Sequence, residues 1–218
     1  MNLLYVFVHL PKTGGDTFSN FMEKFFSHNN TRNGFSYRYP RGVDPKDGWD
    51  KVRFVYGHFD INFIENDLNF RDREFVYFTF LRNPMERLYS NYYYANRGKV
   101  TIKQWLQSDD YFVENLMTKY LGNAGGKSAT EKNLEIAMKN LTRSDVNFGI
   151  TEHYDESLRR FQVKFPDIFP TIKYERKRIS VKPDNYNNDP ELNTMIWERN
   201  QLDLRLYKFA IKLFKEKT

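Results

Sequence analysis

Cysteine is absent from the 218-residue chain. Its absence excludes disulfide bonds and thiolate metal sites, and it fits an intracellular protein. No apolar run approaches the roughly 18 residues needed to span a bilayer, and the start of the chain does not resemble a signal peptide. We therefore expect a soluble, cytoplasmic protein that has no membrane partner.

Internal repeats, low-complexity tracts and clear linkers are absent as well, so we predict a single domain over residues 1–218. No obvious acidic cluster suggests a bound metal. Hydrophobic residues make up 40% of the chain and aromatic residues 17%, which is enough for a substantial core. The net charge of +6 indicates an electrostatic field that attracts anionic ligands.

The most informative stretch lies near the amino terminus. An apolar run over residues 3–9 predicts a buried strand, and aromatic residues at helical spacing predict a helix over residues 16–27, with Asp16 or Thr17 as its cap. Between them lies the turn LPKTGG, residues 10–15. Helix N-terminal amides and the ammonium group of Lys12 both favour an anion. The pattern predicts a site for a phosphate- or sulfate-like group.

Strand and helix patterns alternate along the rest of the chain. Residues 28–50 carry many turn signals and are predicted to be a loop. Strands are predicted over residues 52–56, 75–81, 146–150 and 171–174. Helices are predicted over residues 85–96, 101–120, 131–141 and 154–165, and from residue 190 to about 217 with a break near Asn200. The alternation predicts an α/β three-layer sandwich with a mostly parallel central sheet.

Three polar clusters each follow a predicted strand. They are the Lys12 turn, the pair Gly57-His58, and the segment from Arg82 to Ser90. Ligands of parallel sheets bind at the carboxyl ends of the strands, so we expect the clusters to share one site. The planar guanidinium of Arg82 suits a phosphate, and the hydroxyl of Ser90 adds a neutral donor.

Neither glycine-rich stretch matches an ATP-binding loop. The sequence GGKS at residues 125–128 echoes the end of a Walker A motif, but a helical pattern instead of a strand precedes it, and we predict a loop. In the first turn, Lys12 comes before the glycines, whereas the Walker lysine follows them. Both features argue against a P-loop kinase.

Two motifs resemble a known family. Residues 8–18, VHLPKTGGDTF, resemble the 5′-phosphosulfate loop of sulfotransferases that use 3′-phosphoadenosine-5′-phosphosulfate (PAPS), and residues 80–92, FLRNPMERLYSNY, resemble their 3′-phosphate motif. The similarity is greatest to the heparan-sulfate 2-O- and 6-O-sulfotransferase branch, which modifies carbohydrates. Residues 148–158 and 200–207 resemble further segments of that branch. The resemblance implies a P-loop NTPase-like fold with PAPS as sulfuryl donor.

The resemblance also implies the roles of single residues. Lys12 would bind the bridging oxygen of the leaving group, and Arg82 with Ser90 would hold the 3′-phosphate. The 5′-phosphate would contact backbone groups and one hydroxyl from Thr13, Gly14, Gly15, Asp16 and Thr17. Asp16 departs from the usual Thr or Ser, so it keeps a backbone role alone.

The remaining catalytic role is that of the general base. His58 is similar to the histidine of a Gly-His pair that carries the base in the 2-O branch, and an imidazole with a pKa near 6.5 can accept a proton at neutral pH. We expect a sulfotransferase with Lys12 and His58 as catalytic residues. It would act by in-line displacement on a hydroxyl of a glycan or another small molecule, without a metal or nucleic acid. The alternatives are a P-loop nucleotide or small-molecule kinase and a non-catalytic basic module that binds polyanions.

Overall fold

The structure, a computed structural model, describes residues 3–27, 35–39, 49–66, 70, 72–96, 98–169 and 185–216. The strands of the described chain form one sheet in the order β2-β3-β1-β4-β5, and each neighbouring pair is parallel. These strands are β1 (Leu3–Val8), β2 (Phe35–Tyr39), β3 (Val52–Gly57), β4 (Glu74–Leu81) and β5 (Val146–Ile150).

Helices follow the strands and cover both faces of the sheet. They are α1 (Gly15–Ser27), α2 (Ile61–Glu65), α3 (Pro84–Asn91), α4 (Ile102–Gln107), α5 (Leu116–Leu121), α6 (Glu131–Thr142), α7 (Tyr154–Lys164), α8 (Pro190–Arg199) and α9 (Gln201–Glu216). A π-helical turn at Tyr92–Asn96 extends α3, and 3₁₀ turns occupy Trp49–Lys51 and Thr151–His153. No helix in the described part of the chain is long and apolar enough to cross a membrane.

The alternation of side chains along β1 divides the core into two layers. Leu4, Val6 and Val8 point to one face, where they join buried residues of α5, α6 and α9. Phe7 points to the other face and packs in a largely aromatic cluster with α1 and α7. Successive residues of a strand face opposite sides, so β1 is buried on both. The predicted three-layer α/β sandwich is confirmed.

Four predicted strands lie within one residue of their observed bounds, and the chain break at Asn200 between α8 and α9 is also confirmed. The loop predicted over residues 28–50 is wrong in part, because β2 and a 3₁₀ turn lie within it. The sequence FSYRY of β2 alternates aromatic and polar residues, which is a strand pattern that the turn signals on either side obscured. The strand predicted over residues 171–174 lies outside the described residues.

Two helix predictions also need correction. The helix predicted over residues 85–96 ends at Asn91 and continues as the π-helical turn, and the one over residues 101–120 is divided into α4 and α5. Asn83 caps α3 through its side-chain oxygen, and Pro84 follows in the first turn as expected. Asp16 and Thr17 do not cap α1, because the helix already begins at Gly15.

Candidate functional site

The turn between β1 and α1 has a strained backbone. Gly14 has a φ of 84°, and Lys12 has a φ of 67°, which is uncommon for a residue with a side chain. A Cβ atom on Gly15 would lie 2.3 Å from Cδ2 of His9, so the close approach of ring and backbone requires glycine. Strain of this kind is concentrated at ligand-binding sites. The glycines therefore shape the turn, as the sequence predicts.

Neighbouring groups hold the carbonyl oxygens of this turn. Arg82 Nη1 donates to the Lys12 carbonyl at 3.1 Å, and Thr13 Oγ1 donates to the Leu10 carbonyl at 2.8 Å. Thr151 Oγ1 lies 2.6 Å from the carbonyl oxygen of Thr13 and 3.0 Å from that of Leu81, at the end of β4. The first amides of a helix have no partner within the helix. Side chains therefore bind the carbonyl oxygens of the turn, whereas the amides at the start of α1 have no partner within that helix.

The side chain of Lys12 lies over an aromatic ring. Its Nζ is 3.8 Å from the centroid of the Tyr94 ring, which is within the range of a cation–π contact. Tyr94 is 56% exposed and belongs to the π-helical turn after α3. The contact links the two ends of the site, because Lys12 follows β1 and Tyr94 follows the helix that carries Ser90.

Arg82 lies directly after β4 and has two hydrogen-bonding partners among the described residues. Besides the Lys12 carbonyl, its guanidinium approaches the carboxylate of Glu86 to 3.4 Å. Glu86 also accepts a hydrogen bond from the hydroxyl of Tyr186. Ser90 is buried on α3, two turns from Arg82. The two predicted 3′-phosphate residues thus lie on one strand-to-helix unit, with Arg82 in direct contact with the Lys12 turn.

His58 follows β3, and its hydrogen bond defines its tautomer. Its Nδ1 lies 2.6 Å from the carbonyl oxygen of His9. A carbonyl oxygen can only accept, so Nδ1 carries the proton of this bond and Nε2 is the nitrogen with a lone pair. The His58 and His9 rings lie 4.6 Å apart, and His9 also stacks on Phe7. The buried His9 ring therefore packs between Phe7 and His58, while His58 itself is exposed.

Thr17 and Asp16 lie in the first turn of α1. The Thr17 side chain is buried, whereas Asp16 is half-buried. A carboxylate in the first turn is favoured by the helix dipole, which gives Asp16 a structural reason to be there. Its carbonyl accepts a hydrogen bond from Ser19 Oγ at 3.3 Å.

Sequence reasoning missed the residues that brace the site. Thr151, Tyr94 and Glu86 each contact a predicted residue, and Glu152 links two segments by accepting from the Asn83 amide and the Tyr207 hydroxyl, both at 2.9 Å. Thr151 and Glu152 could have been proposed as site residues, because they come directly after the predicted strand that corresponds to β5. Tyr94 gave no distinct signal, because it is one of several tyrosines in that stretch.

The structure brings Lys12, His58 and Arg82 to one edge of the sheet, at the carboxyl ends of β1, β3 and β4. Two cations can bind a diphosphorylated anion, and a neutral imidazole that donates through Nδ1 can accept a proton at Nε2. Ser90 is buried on α3, the helix that follows Arg82. Within the described ranges, no group of three or more His, Asp or Glu residues could hold a metal ion.

Comparison with known proteins defines the fold. No known family model and no curated protein sequence matches the chain. The chain is similar to the crystal structure of mouse sulfotransferase SULT7A1 complexed with PAP, with a TM-score of 0.56 and 13% sequence identity. The match covers 100% of this chain and 89% of the mouse chain. This chain therefore has the P-loop NTPase-like α/β fold of a sulfotransferase.

Proposed function

We propose that the protein transfers the sulfuryl group of PAPS to a hydroxyl of a carbohydrate acceptor. The contact between Arg82 and the Lys12 turn carries the proposal, because it joins the two motifs that the sequence assigns to the two ends of the donor. PAPS bears a 3′-phosphate and a 5′-phosphosulfate. A site with one cation for each charged end therefore suits PAPS better than it suits a nucleoside triphosphate.

The residues present fit such a donor. Gly14 takes a left-handed φ and Gly15 packs against the His9 ring, and together they shape a turn that leads into the backbone amides at the start of α1, where a phosphate can bind. Lys12 would lie at the 5′ end. Arg82 would exchange its contact with Glu86 for the 3′-phosphate, assisted by the hydroxyl of Ser90. Thr13 and Asp16 would contribute backbone groups, and Thr17 its hydroxyl.

PAPS supplies a sulfuryl group attached to a phosphate leaving group. His58 Nε2 takes the proton of the acceptor hydroxyl while that oxygen forms a bond to sulfur and the bond from sulfur to the phosphate oxygen breaks. Lys12 stabilises the negative charge that develops on the departing oxygen. Measured donors of this kind contribute roughly 3–4 kcal/mol each to the transition state. Protons and charges balance without a metal.

The carbohydrate acceptor is the finer part of the proposal. It is supported by the resemblance of residues 8–18 and 80–92 to the carbohydrate-modifying branch. The exposed ring of Tyr94 beside Lys12 also offers a flat face on which a sugar can pack.

Thermal unfolding tests the donor. We expect adenosine 3′,5′-bisphosphate, the product of sulfuryl transfer from PAPS, to raise the free energy of unfolding by roughly 2.7 kcal/mol at 100 times its Kd, with EDTA present. Arg82→Ala should reduce this shift. Arg205→Ala should keep it, because that guanidinium pairs with Glu131 on the exposed side of α9. A shift with ATP and Mg²⁺, and none with the bisphosphate, would reject the proposal in favour of a kinase.

A further inference from the structure

A second cavity lies away from the candidate site. Its volume is about 480 Å³, and it is bounded by the end of α6, the strand β5, the helix α7 and Phe214 of α9. β5 is one of the two edge strands of the described sheet, and the cavity follows it from Val146 to Phe148, whereas the candidate site lies beyond Ile150. The volume is within the range of roughly 300–1,000 Å³ that accommodates small ligands. The cavity is thus large enough for a ring system.

The inner wall of this cavity is apolar. Val146, Phe148, Phe161 and Phe214 line it, and each is itself a buried core residue. At the rim, Val163 is 84% exposed, which is unusual for a large aliphatic side chain. The buried wall and the exposed Val163 offer apolar surface that a hydrocarbon body can contact.

Four cationic side chains and the carboxylate of Glu156 line the cavity, and the guanidinium of Arg143 is paired with two carboxylates outside the lining. Arg160 pairs with Glu156, and its guanidinium stacks 3.6 Å from the centroid of the Phe214 ring. Arg159 has no partner among the described residues, and it lies one helical turn before Val163 on the same face of α7. An exposed apolar side chain and a guanidinium without a partner in the described chain therefore lie one helical turn apart at the same cavity.

We propose that this cavity binds a small amphipathic anion, with its apolar body against Val163 and the aromatic wall and its acidic group at Arg159. A carboxylate, sulfate or sulfonate offers the same charge and similar acceptor oxygens to the guanidinium. The proposal does not depend on the activity assigned to the Lys12 site.

Calorimetric titration with 2-naphthalenesulfonate tests this site. We expect the wild type to bind the sulfonate at least tenfold more tightly than the neutral 2-naphthalenesulfonamide. Arg159→Glu should weaken sulfonate binding at least tenfold, and Val163→Asp should weaken it as well. Lys132→Glu is the matched control, because it makes the same charge change at an exposed position on α6. Lys12→Ala should bind the sulfonate as the wild type does.

Other outcomes overturn the proposal. Absent binding to the wild type, or equal affinity of the wild type and Arg159→Glu, would show that the cavity is not a site for this class of anion. Equal weakening in Lys132→Glu would assign the effect to overall charge. Loss of binding in Lys12→Ala would place the sulfonate in the candidate active site. Circular dichroism of each variant confirms that it is folded, and Arg159 and Val163 are exposed enough for the changes to be tolerated.

Discussion

A single backbone carbonyl gives His58 its chemical character. Because the carbonyl oxygen of His9 accepts from Nδ1, the ring is held in one tautomer and one orientation. His9 follows β1 and precedes the Lys12 turn, so the proposed base and the proposed donor site are adjacent through one residue. A histidine at another strand end would not have this partner.

His58→Ala should lower kcat of sulfuryl transfer by at least about 100-fold, since general bases contribute roughly 10²–10⁴. The affinity for adenosine 3′,5′-bisphosphate should stay within about twofold, because His58 contacts the acceptor and not the donor in the proposed mechanism. Steady-state kinetics and calorimetry measure the two quantities.

His153→Ala is the matched control, since this histidine is also exposed but stacks on Phe214 away from the site. Its kcat should equal that of the wild type. Wild-type turnover in His58→Ala would remove His58 from the mechanism, and a parallel loss in both variants would indicate a general effect on the fold.

Candidate site residues could be proposed from the sequence where residue type and local position coincide, and their roles stay predictions. Lys12, Gly14 and Arg82 each follow a strand and each carry a property that an anion site needs. Thr151 also follows a strand, but the contacts of Thr151 and Tyr94 could not be inferred in this way, because their partners Thr13 and Lys12 are far away in the sequence. Such contacts depend on the strand order, which residue patterns do not encode.

At the scale of elements, α5 and α9 cap each other. Asp203 of α9 accepts from the amides of Met117 and Thr118 and from the Thr118 hydroxyl, at 2.7–3.0 Å. In return, the side-chain oxygen of Asn115 accepts from the amides of Leu202 and Asp203. The orphan amides of two helix N-termini are thereby satisfied in the interior. This exchange joins the C-terminal helix to the core.

Arg87 supplies the opposite charge to this junction. Its side chain is fully buried on α3, where Nη2 donates to the Phe112 carbonyl at 2.9 Å, while Nε and Nη1 have no hydrogen-bond partner in the described chain. Burial lowers the pKa of Arg87 to about 10, and the charge of Asp203 opposes that shift. Burial raises the pKa of Asp203, and Arg87 acts against this change too. Each charge therefore depends on the other.

Asp203→Asn should lower the free energy of unfolding by about 3–5 kcal/mol, because it leaves the buried Arg87 charge uncompensated. Urea denaturation at pH 7 measures the loss. Asp109→Asn, at an exposed position without a described partner, should change it by less than about 0.5 kcal/mol. A similar small change in Asp203→Asn would mean that the junction adds nothing to stability.

The division of residues 101–120 shows why element bounds are harder to predict than element types. The apolar spacing continues through the whole stretch, but Asp110 accepts from the Trp105 indole and from the Phe112 amide, and this turn ends the helical path. Side-chain bonds to a nearby backbone compete with helix formation. The sequence pattern does not show whether the helix continues or whether the side-chain hydrogen bonds end it.

For the whole molecule, the alternation of strands and helices was sufficient to predict a parallel sheet between two helical layers. The short edge strand β2 escaped detection because turn signals surround it. The central position of β1 between β3 and β4 was not predicted, although it is what places the Lys12 turn between His58 and Arg82. Fold class thus follows from periodicity, whereas the assembly of the site follows from strand order.

The many buried tyrosines make the whole molecule sensitive to alkali. Burial and the nearby Glu23 raise the pKa of Tyr56 to about 12, and burial raises the pKa of Tyr89 to about 12. Burial raises the pKa of Tyr77 and of Tyr120 as well. Tyrosines of the unfolded chain ionise near pH 10. Between about pH 10 and about pH 12, the unfolded chain therefore loses its phenolic protons while the buried tyrosines of the folded protein keep theirs.

The free energy of unfolding should therefore fall as the pH rises from about 10 to about 12. Urea midpoints across this range test the prediction, and tyrosinate absorbance of the folded protein reports the delayed ionisation. Tyr89→Phe should decline less steeply, although it loses the hydrogen bond from its hydroxyl to Asn193. A decline as steep as that of the wild type would exclude Tyr89 as a contributor.

The bracing of the Lys12 turn has a further consequence. Arg82, Thr151 and the Thr13 hydroxyl hold three of its carbonyl oxygens through contacts within the protein. The conformational entropy of the turn has thus been lost during folding, and an anion need not order the backbone again. Association of the proposed donor should then be limited by diffusion and electrostatic attraction, and its rate should fall as salt screens the cationic edge.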